Sequence, residues 1–396
     1  MITTDYLCPN CGKKGMSIFY EVKNVPVNSC VLLSTQQQAL DFPRGDVVLG
    51  FCKTCGFVSN LAFDPSKVDY ESVYEDQQCF SSTFNAFAKN LVTNLIKKYN
   101  LHNKQIVEIG CGKGDFLALL CEQGHNGGVG IDPAYVKGRN QCEESTNLTF
   151  IRDFYSERYA NIRGDFVCCR HTLEHIPNTL EFVDKVRKSI GKNYDTVAFF
   201  EVPDIVRVLH ELAFWDIYYE HCSYFSPGSL ARLFRSCKFE IINLHREFDD
   251  QYLLIEAKPV AQESKKMHKT EESLEELTEQ IEHFSNNYRN ELNMWKNRLR
   301  QLKEAAKRVA VWGSGSKCVS FITTLKVENE IGCVIDINPY RQGKFIPGTG
   351  KQIMPPEFLK TFNPDVTIVM NPAYRDEIKQ MIDDLGISTQ IISVGV

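Results

Sequence analysis

Val107-Glu108-Ile109-Gly110-Cys111-Gly112-Lys113-Gly114-Asp115-Phe116 decides the fold of this 396-residue chain. An apolar β-strand ends in a turn of alternating glycines, and an amphipathic helix follows. Glycine lets a ligand come close to the backbone, and the helix that starts there offers free N–H groups. A dinucleotide site wants Gly-x-Gly-x-x-Gly, with the third glycine opening the helix to a pyrophosphate. Here the spacing is Gly110, Gly112, Gly114, and Asp115 comes next. Glu108 precedes the loop, and Asp132 closes the following strand, Val129-Gly130-Ile131-Asp132, where it can accept from two ribose hydroxyls. An acidic loop repels pyrophosphate and suits a cationic ligand.

Outward from that loop, strand-like and helix-like segments alternate to about residue 257. Phe166–Cys169, Val197–Phe200 and Leu253–Ile255 are the further strand candidates. Alternation of this kind predicts α/β architecture, a mostly parallel sheet with helices on both faces. The pattern Glu-x-Gly-x-Gly-x-Gly resembles class I methyltransferases that use S-adenosylmethionine (SAM), whose sulfonium and amino group match the acidic loop. In that resemblance Asp153 and Phe154, in Ile151-Arg152-Asp153-Phe154, stand where the family reads adenine, and Asp165–Cys169 stands as its fourth strand.

Residues 1–75 are punctuated by Cys, Gly and Pro and read as a small β-rich module. Cys8-Pro-Asn-Cys11 and Cys52-Lys-Thr-Cys55 form two Cys-x-x-Cys knuckles, each followed by glycine. Four thiolates suit tetrahedral zinc, and a closed four-sulfur site leaves no position for a reacting water, so the metal is expected to be structural. Cys30 and Cys79 lie outside the pattern and read as plain thiols. The chain has fifteen cysteines and no apparent secretory signal. Reduced thiols and a cytoplasmic location are therefore the expectation.

A SAM domain over 76–258 is followed by a linker, 259–307, with a charged helical pattern from 261. Within it Leu274, Leu277, Ile281, Phe284, Tyr288, Leu292, Trp295, Leu299 and Leu302 recur at steps of three and four. Such a stripe either joins a homo-oligomer or packs on its own chain, and its large rings favour the second. Residues 308–396 alternate again as a second Rossmann-like domain. Val309–Trp312 leads into Gly313-Ser314-Gly315-Ser316-Lys317, which can cradle a phosphate. Asp336 would be the ribose ligand if this domain held NAD, but no hydride donor is called for.

Two polar segments follow strand ends of the SAM domain: Arg170-His171-Thr172-Leu173-Glu174-His175-Ile176-Pro177, and Tyr218-Tyr219-Glu220-His221-Cys222-Ser223-Tyr224-Phe225-Ser226. Open α/β sheets place their chemistry there. With the zinc knuckles in front, and Gly-x-Gly-x-Lys and Asp336-Ile-Asn338-Pro339 behind, the chain resembles sugar C-methyltransferases acting on nucleotide-linked 4-ketohexoses. The resemblance spans nearly the whole chain and implies that Tyr218, Glu220 and His221 carry the acceptor chemistry. It implies one further pocket histidine, His175, with His171 as its rival. The ketone acidifies the neighbouring carbon, His221 removes its proton, Glu220 orients the base or holds sugar hydroxyls, and His175 and Tyr218 donate to the enolate oxygen. The C-terminal domain is expected to close over the nucleotide sugar. The strip Tyr74–Ser82 departs from the family's tyrosine-bearing strip.

Other readings are an oxygen or nitrogen methyltransferase, a scaffold without turnover, and a nucleic-acid methyltransferase. The net charge of -5 and the lack of a basic cluster near the knuckles speak against nucleic acid. No apolar run reaches the ~20 residues of a membrane span.

Overall fold

The computed structural model describes residues 2–70, 74–140 and 147–395. Its strands fall into three sheets. The N-terminal stretch forms β1 (Ile2–Leu7), β2 (Lys14–Pro26), β3 (Arg44–Cys52) and β4 (Val58–Asn60), with a short helix α1 (Gln36–Leu40) between β2 and β3. After helix α2 (Ser82–Tyr99) comes the central run: β5 (Gln105–Ile109), α3 (Asp115–Gly124), β6 (Gly127–Ile131), β7 (Leu148–Ile151), β8 (Phe166–Arg170), α4 (Thr179–Ile190), β9 (Val197–Pro203) and α5 (Ile205–His210). It continues through β10 (Ser223–Tyr224), α6 (Pro227–Ser236), β11 (Phe239–Glu247) and β12 (Tyr252–Pro259). The long helix α7 (Leu274–Glu304) leads to β13 (Val309–Trp312), α8 (Ser316–Leu325), β14 (Cys333–Ile335), β15 (Ile353–Met354), α9 (Leu359–Phe362), β16 (Val366–Val369), α10 (Arg375–Asp384) and β17 (Gln390–Ser393).

The central sheet has the order β11-β12-β9-β8-β5-β6-β7. Strands β5 to β9 in this sheet run parallel, and β12 enters antiparallel between β9 and β11. This is the class I methyltransferase arrangement, a Rossmann-like α/β sheet. Strands β5, β8 and β9 are buried on both faces, so they read as continuous apolar runs rather than alternations. Strand β11 escaped the sequence reading because charged and apolar residues are mixed along it and a bulge between Ile241 and Asn243 breaks its period. The C-terminal sheet is wholly parallel, in the order β15-β14-β13-β16-β17.

The N-terminal sheet is antiparallel, β1-β2-β3-β4-β10. Its last strand comes from the segment Tyr218–Ser226, with Ser223 opposite Ser59 and Tyr224 opposite Val58. The two are 164 positions or more apart in the chain, a pairing that no local pattern announces.

Helix α7 starts on a capping box, Ser273 with Glu276, and carries Glu275 and Glu276 where the helix dipole favours acids. Its apolar stripe is buried within the chain. Phe284 lies against Phe19 and Tyr20, Tyr288 against Tyr20, and Trp295 against Phe321 of α8. The helix thus fastens the N-terminal sheet to the C-terminal domain across one shared core. No helix among the described residues is long and apolar enough to cross a membrane. Truncating Phe284 to Ala empties a fully buried ring site at this seam. It is expected to cost roughly 3–5 kcal/mol in stability, read as a fall in the denaturation midpoint; a midpoint within error of wild type would mean the seam contributes little.

Candidate functional site

The carboxyl ends of β5, β6, β8 and β9 open onto one cavity of about 760 Å³, closed on its far side by the C-terminal domain. At the floor, Gly110, Gly112 and Gly114 all take positive φ, +71°, +54° and +86°. A side chain on Gly110 would meet Thr172 Oγ1 at 1.9 Å, whereas above Gly112 the nearest groups are the Asp76 carboxylate oxygens, at 3.6 and 3.8 Å. Gly114 begins α3 with no side-chain cap, so the helix presents free N–H groups there.

Four carboxylates line this floor: Glu108, Asp132, Asp115 and Asp76. Asp132 accepts from the backbone N–H of Gly112 at 2.8 Å and of Ala134 at 2.6 Å, which fixes it at the end of β6. Burial, with Asp76 next, pushes its pKa up to about 6. Glu108 is buried and its Oε2 has no partner among the described residues. Burial pushes it up to about 8, against the pull of Arg170. The basic groups nearby are committed elsewhere: Lys113 Nζ donates to the carbonyls of Tyr74 (2.9 Å) and Ala134 (2.7 Å), and Arg170 holds Glu201 through two bonds of 2.9 Å. A buried acid with one unpartnered oxygen, a helix start without a side-chain cap and an excess of carboxylates fit a ligand that brings positive charge, as SAM does with its sulfonium and ammonium groups.

Asp153 does not join this floor, which corrects its expected place at the adenine. Its carboxylate is taken by Tyr159 (2.5 Å) and Arg158 (2.9 Å) and by the N–H of Phe154, a local network at the protein surface. Phe154 does line the cavity, half exposed.

A second wall of the cavity is built from the two polar segments. His175 and His221 meet edge to face, ring centroids 4.8 Å apart, and Tyr218 meets His221 edge to face at 4.5 Å. His175 Nδ1 lies 3.1 Å from the Glu220 carbonyl oxygen, an acceptor only, which favours the tautomer with the proton on Nδ1 and the lone pair on Nε2. His221 Nδ1 has no hydrogen-bond partner among the described residues. Burial holds His175 below the usual imidazole range and His221 well below it, so both are neutral bases. His171 also lines the cavity but differs in kind. Burial opposes its charge, yet Glu174 and Glu201 raise it to about 9, and its Nε2 sits 2.8 Å from Glu201.

Glu220 is displaced from its expected role. Its carboxylate turns away from the cavity and accepts from the Ser29 hydroxyl and from the Ser29 N–H at 3.2 Å. Burial raises it to about 7. The Tyr218 hydroxyl donates to Asp216 at 2.8 Å, so its proton is committed. Asp216 in turn is paired with Arg207 at 3.0 Å and with Lys317 of the C-terminal glycine loop. Lys317, Arg207 and Tyr70 all line the cavity, with the Tyr70 hydroxyl 3.1 Å from His175 Nδ1. Tyr70 and Asp216 were missed in the sequence because single Tyr and Asp residues in irregular stretches carry no pattern. Asp336 accepts from the Ser314 N–H (2.9 Å) and hydroxyl (2.5 Å), so its Oδ2 serves the loop itself.

Apart from the cavity, Cys8 and Cys55 Sγ are 3.6 Å apart and Cys11 and Cys52 Sγ 3.7 Å, with all four within 4.8 Å and no disulfide among them. Sulfurs each ~2.3 Å from one zinc ion lie ~3.8 Å apart, so the four are compatible with that metal. The knuckles rest on the SAM domain: Arg232 Nε donates to the Cys55 carbonyl at 2.9 Å, and Thr179 Oγ1 to Asn10 at 3.1 Å.

Residues 82–244 match the family described as a methyltransferase domain, and residues 253–389 the family described as a C-methyltransferase C-terminal domain. The C-methyltransferase NovU of Streptomyces niveus is 28% identical over 295 residues, 69% of this chain and 67% of that protein. Among solved structures, the 1,6-didemethyltoxoflavin-N1-methyltransferase of Burkholderia thailandensis aligns at 15% identity over 44% of this chain and 78% of its own, with a TM-score of 0.34. Magnesium protoporphyrin IX methyltransferase of Synechocystis PCC 6803 aligns at 15% identity over 45% and 84%, with a TM-score of 0.36.

The raised acids give a signed pH dependence. Glu108 and Asp132 hold their protons up to about 8 and about 6, above their unfolded values, so their ionisation works against stability as pH rises through that window. A cation selects the ionised forms. SAM affinity is therefore expected to rise between pH 6 and 8.5 with net proton release, measured by calorimetry in buffers of different ionisation heat. Affinity flat across that window, with no proton released, would refute it.

Proposed function

Since this chain is a SAM-dependent methyltransferase with the C-terminal domain of C-methyltransferases, we propose that it methylates a carbon beside the ketone of a nucleotide-linked keto sugar, through an enolate. The observation that carries this reading is His221: a buried imidazole, held neutral, that lines the same cavity as the glycine loop. A methyl transfer to oxygen or nitrogen asks less of a base, whereas a carbon acid needs one. When bound, SAM supplies a methyl group on positively charged sulfur, which departs as a neutral thioether.

His221 takes the proton from the carbon beside the ketone; the electron pair of that C–H bond becomes the enolate double bond, and the carbonyl π pair moves onto the ketone oxygen. Glu108, Asp132 and the Gly110–Gly114 turn would hold SAM, whose methyl the enolate carbon would take up. His175 Nε2, the other lone pair, orients a sugar hydroxyl. It has no proton to give the enolate, and neither has Tyr218, so that negative charge falls to the Lys317 ammonium beside Asp216. Glu220 acts through its carbonyl on His175 rather than on the sugar. The Gly313–Lys317 loop, at the start of α8 and also lining the cavity, suits the phosphates of the nucleotide.

We further propose that Cys8, Cys11, Cys52 and Cys55 bind one structural zinc ion. Purified protein is expected to carry about one equivalent, and Cys52→Ser to lose it together with solubility or melting temperature. Less than half an equivalent in the wild type sinks the assignment.

The catalytic reading is tested by proton exchange in deuterium oxide. The protein is incubated with the demethylated cofactor, S-adenosylhomocysteine (SAH), and a panel of nucleotide-linked 4-ketohexoses, and the sugar is followed by NMR. Exchange is expected at one carbon beside the ketone, and His221→Ala is expected to slow it by about 100-fold or more. No exchange with any sugar, while SAM still binds, would move the acceptor to oxygen or nitrogen.

A further inference from the structure

Between the first sheet and α2 the chain crosses the mouth of the cofactor floor as a strap, Tyr74–Ser81. Neighbouring residues on it face different domains. Asp76 stands above Gly112 and lines the cavity, and among the described residues it makes no hydrogen bond or ion pair. Its neighbour Glu75 is buried and turned the other way. Glu75 pairs with Arg139 at 2.7 Å and accepts from Asn338 of the C-terminal domain at 3.0 Å, while Arg341 of that domain donates to its carbonyl oxygen. Arg139 also lies over the Tyr340 ring, 3.3 Å from its centroid.

The same division runs along the strap. Gln77 donates to Asp115 of the cofactor floor at 2.9 Å, and Gln78 accepts from Tyr374 of the C-terminal domain at 2.8 Å. At the far end, Glu377 of α10 accepts from the Ser81 hydroxyl (2.6 Å) and from the N–H groups of Ser82 (2.8 Å) and Thr83 (3.1 Å), so the C-terminal domain caps helix α2. At the near end Lys113, from inside the glycine loop, holds the Tyr74 carbonyl.

We infer that Asp76 is a cofactor-binding residue, presenting a carboxylate to the positive charge of SAM from the side opposite the glycine loop, and that the strap couples cofactor occupancy to the position of the C-terminal domain. The floor holds an acidic excess, and buried Glu108, with its orphaned Oε2, points independently to a cationic ligand. Drawing Asp76 down onto that ligand moves the residue next to it, Glu75, whose contacts are to Asn338 and Arg341. Cofactor and acceptor then bind with positive cooperativity, because the strap is ordered once for both. The inference rests on SAM as the cofactor and is independent of which acceptor is methylated.

The test uses the full-length protein with SAM and SAH as probes, by calorimetry. Asp76→Asn keeps the side-chain shape and removes the charge. It is expected to weaken SAM by about 10-fold or more, and SAH by less, because SAH lacks the sulfonium charge. Asp76→Glu is expected to recover part of the loss. Arg341→Lys does not reach the cofactor floor, yet it is expected to weaken SAM by about threefold. The double variant Asp76→Asn/Arg341→Lys should be no weaker than Asp76→Asn alone, as for residues acting through one element. Melting temperature and zinc content are read in each variant to separate binding from unfolding. SAM affinity within twofold of wild type in folded Asp76→Asn overturns the assignment. Unchanged affinity in Arg341→Lys, or losses that simply add, overturns the coupling.

Discussion

The guanidinium of Arg170 and the carboxylate of Glu201 face each other at the carboxyl ends of two adjacent strands, β8 and β9, joined by two parallel bonds in a buried setting. The histidine-lined half of the cavity is organised around that pair. His171 follows Arg170 directly, with φ at +47°, and its ring closes on Glu201 and Glu174. The chain then turns through Leu173–His175, which delivers His175 against His221. Removing one member of such a buried network leaves an unbalanced charge, a loss of about 3–5 kcal/mol in comparable cases. The network also divides the labour of three histidines. Two carboxylates keep His171 protonated near neutral pH, and its positive charge adds to burial in keeping His175 and His221 neutral. Environments that push like groups apart in pKa mark out which can serve as bases.

That division explains what could be read ahead of the structure and what could not. The glycine loop, the strands around it and the two cysteine knuckles were legible because each is a local pattern: an apolar run, a fixed spacing, a turn that needs glycine. His175 and His221 were legible as members of polar segments at strand ends. Their tautomers and charges were not, since these depend on a carbonyl 45 positions away and on neighbours from other strands. Asp153 misled because a short acidic-aromatic motif near a strand end has two stable uses, and here Arg158 and Tyr159, five and six positions on, supply the local one. Glu220 misled because its partner Ser29 lies 191 positions upstream. Lys317 was read as a phosphate group's companion from its loop alone, while its pairing with Asp216 emerges only where the C-terminal domain meets the histidine-lined wall.

The three sheets therefore do not behave as beads on a string. One cavity takes a floor from the central sheet, a wall from the two polar segments and a roof from the C-terminal domain. Helix α7 bridges from the N-terminal sheet to the C-terminal domain behind that cavity, and the strap bridges from the central domain to the C-terminal one in front of it. Under the proposed enolate chemistry such enclosure would matter, since bulk water would protonate the enolate carbon before methylation.

Strand β10 has a further consequence, for the order of synthesis. The edge of the N-terminal sheet is completed by Ser223 and Tyr224, which pair with Ser59 and Val58. On the ribosome, β4 emerges with its outer edge unpaired and stays so until more than 160 further residues have been made. During that interval an open strand edge is available to other chains. The nascent chain must therefore be shielded, or the edge kept short. β4 has only three residues, a length that limits what a stray strand could gain by docking there.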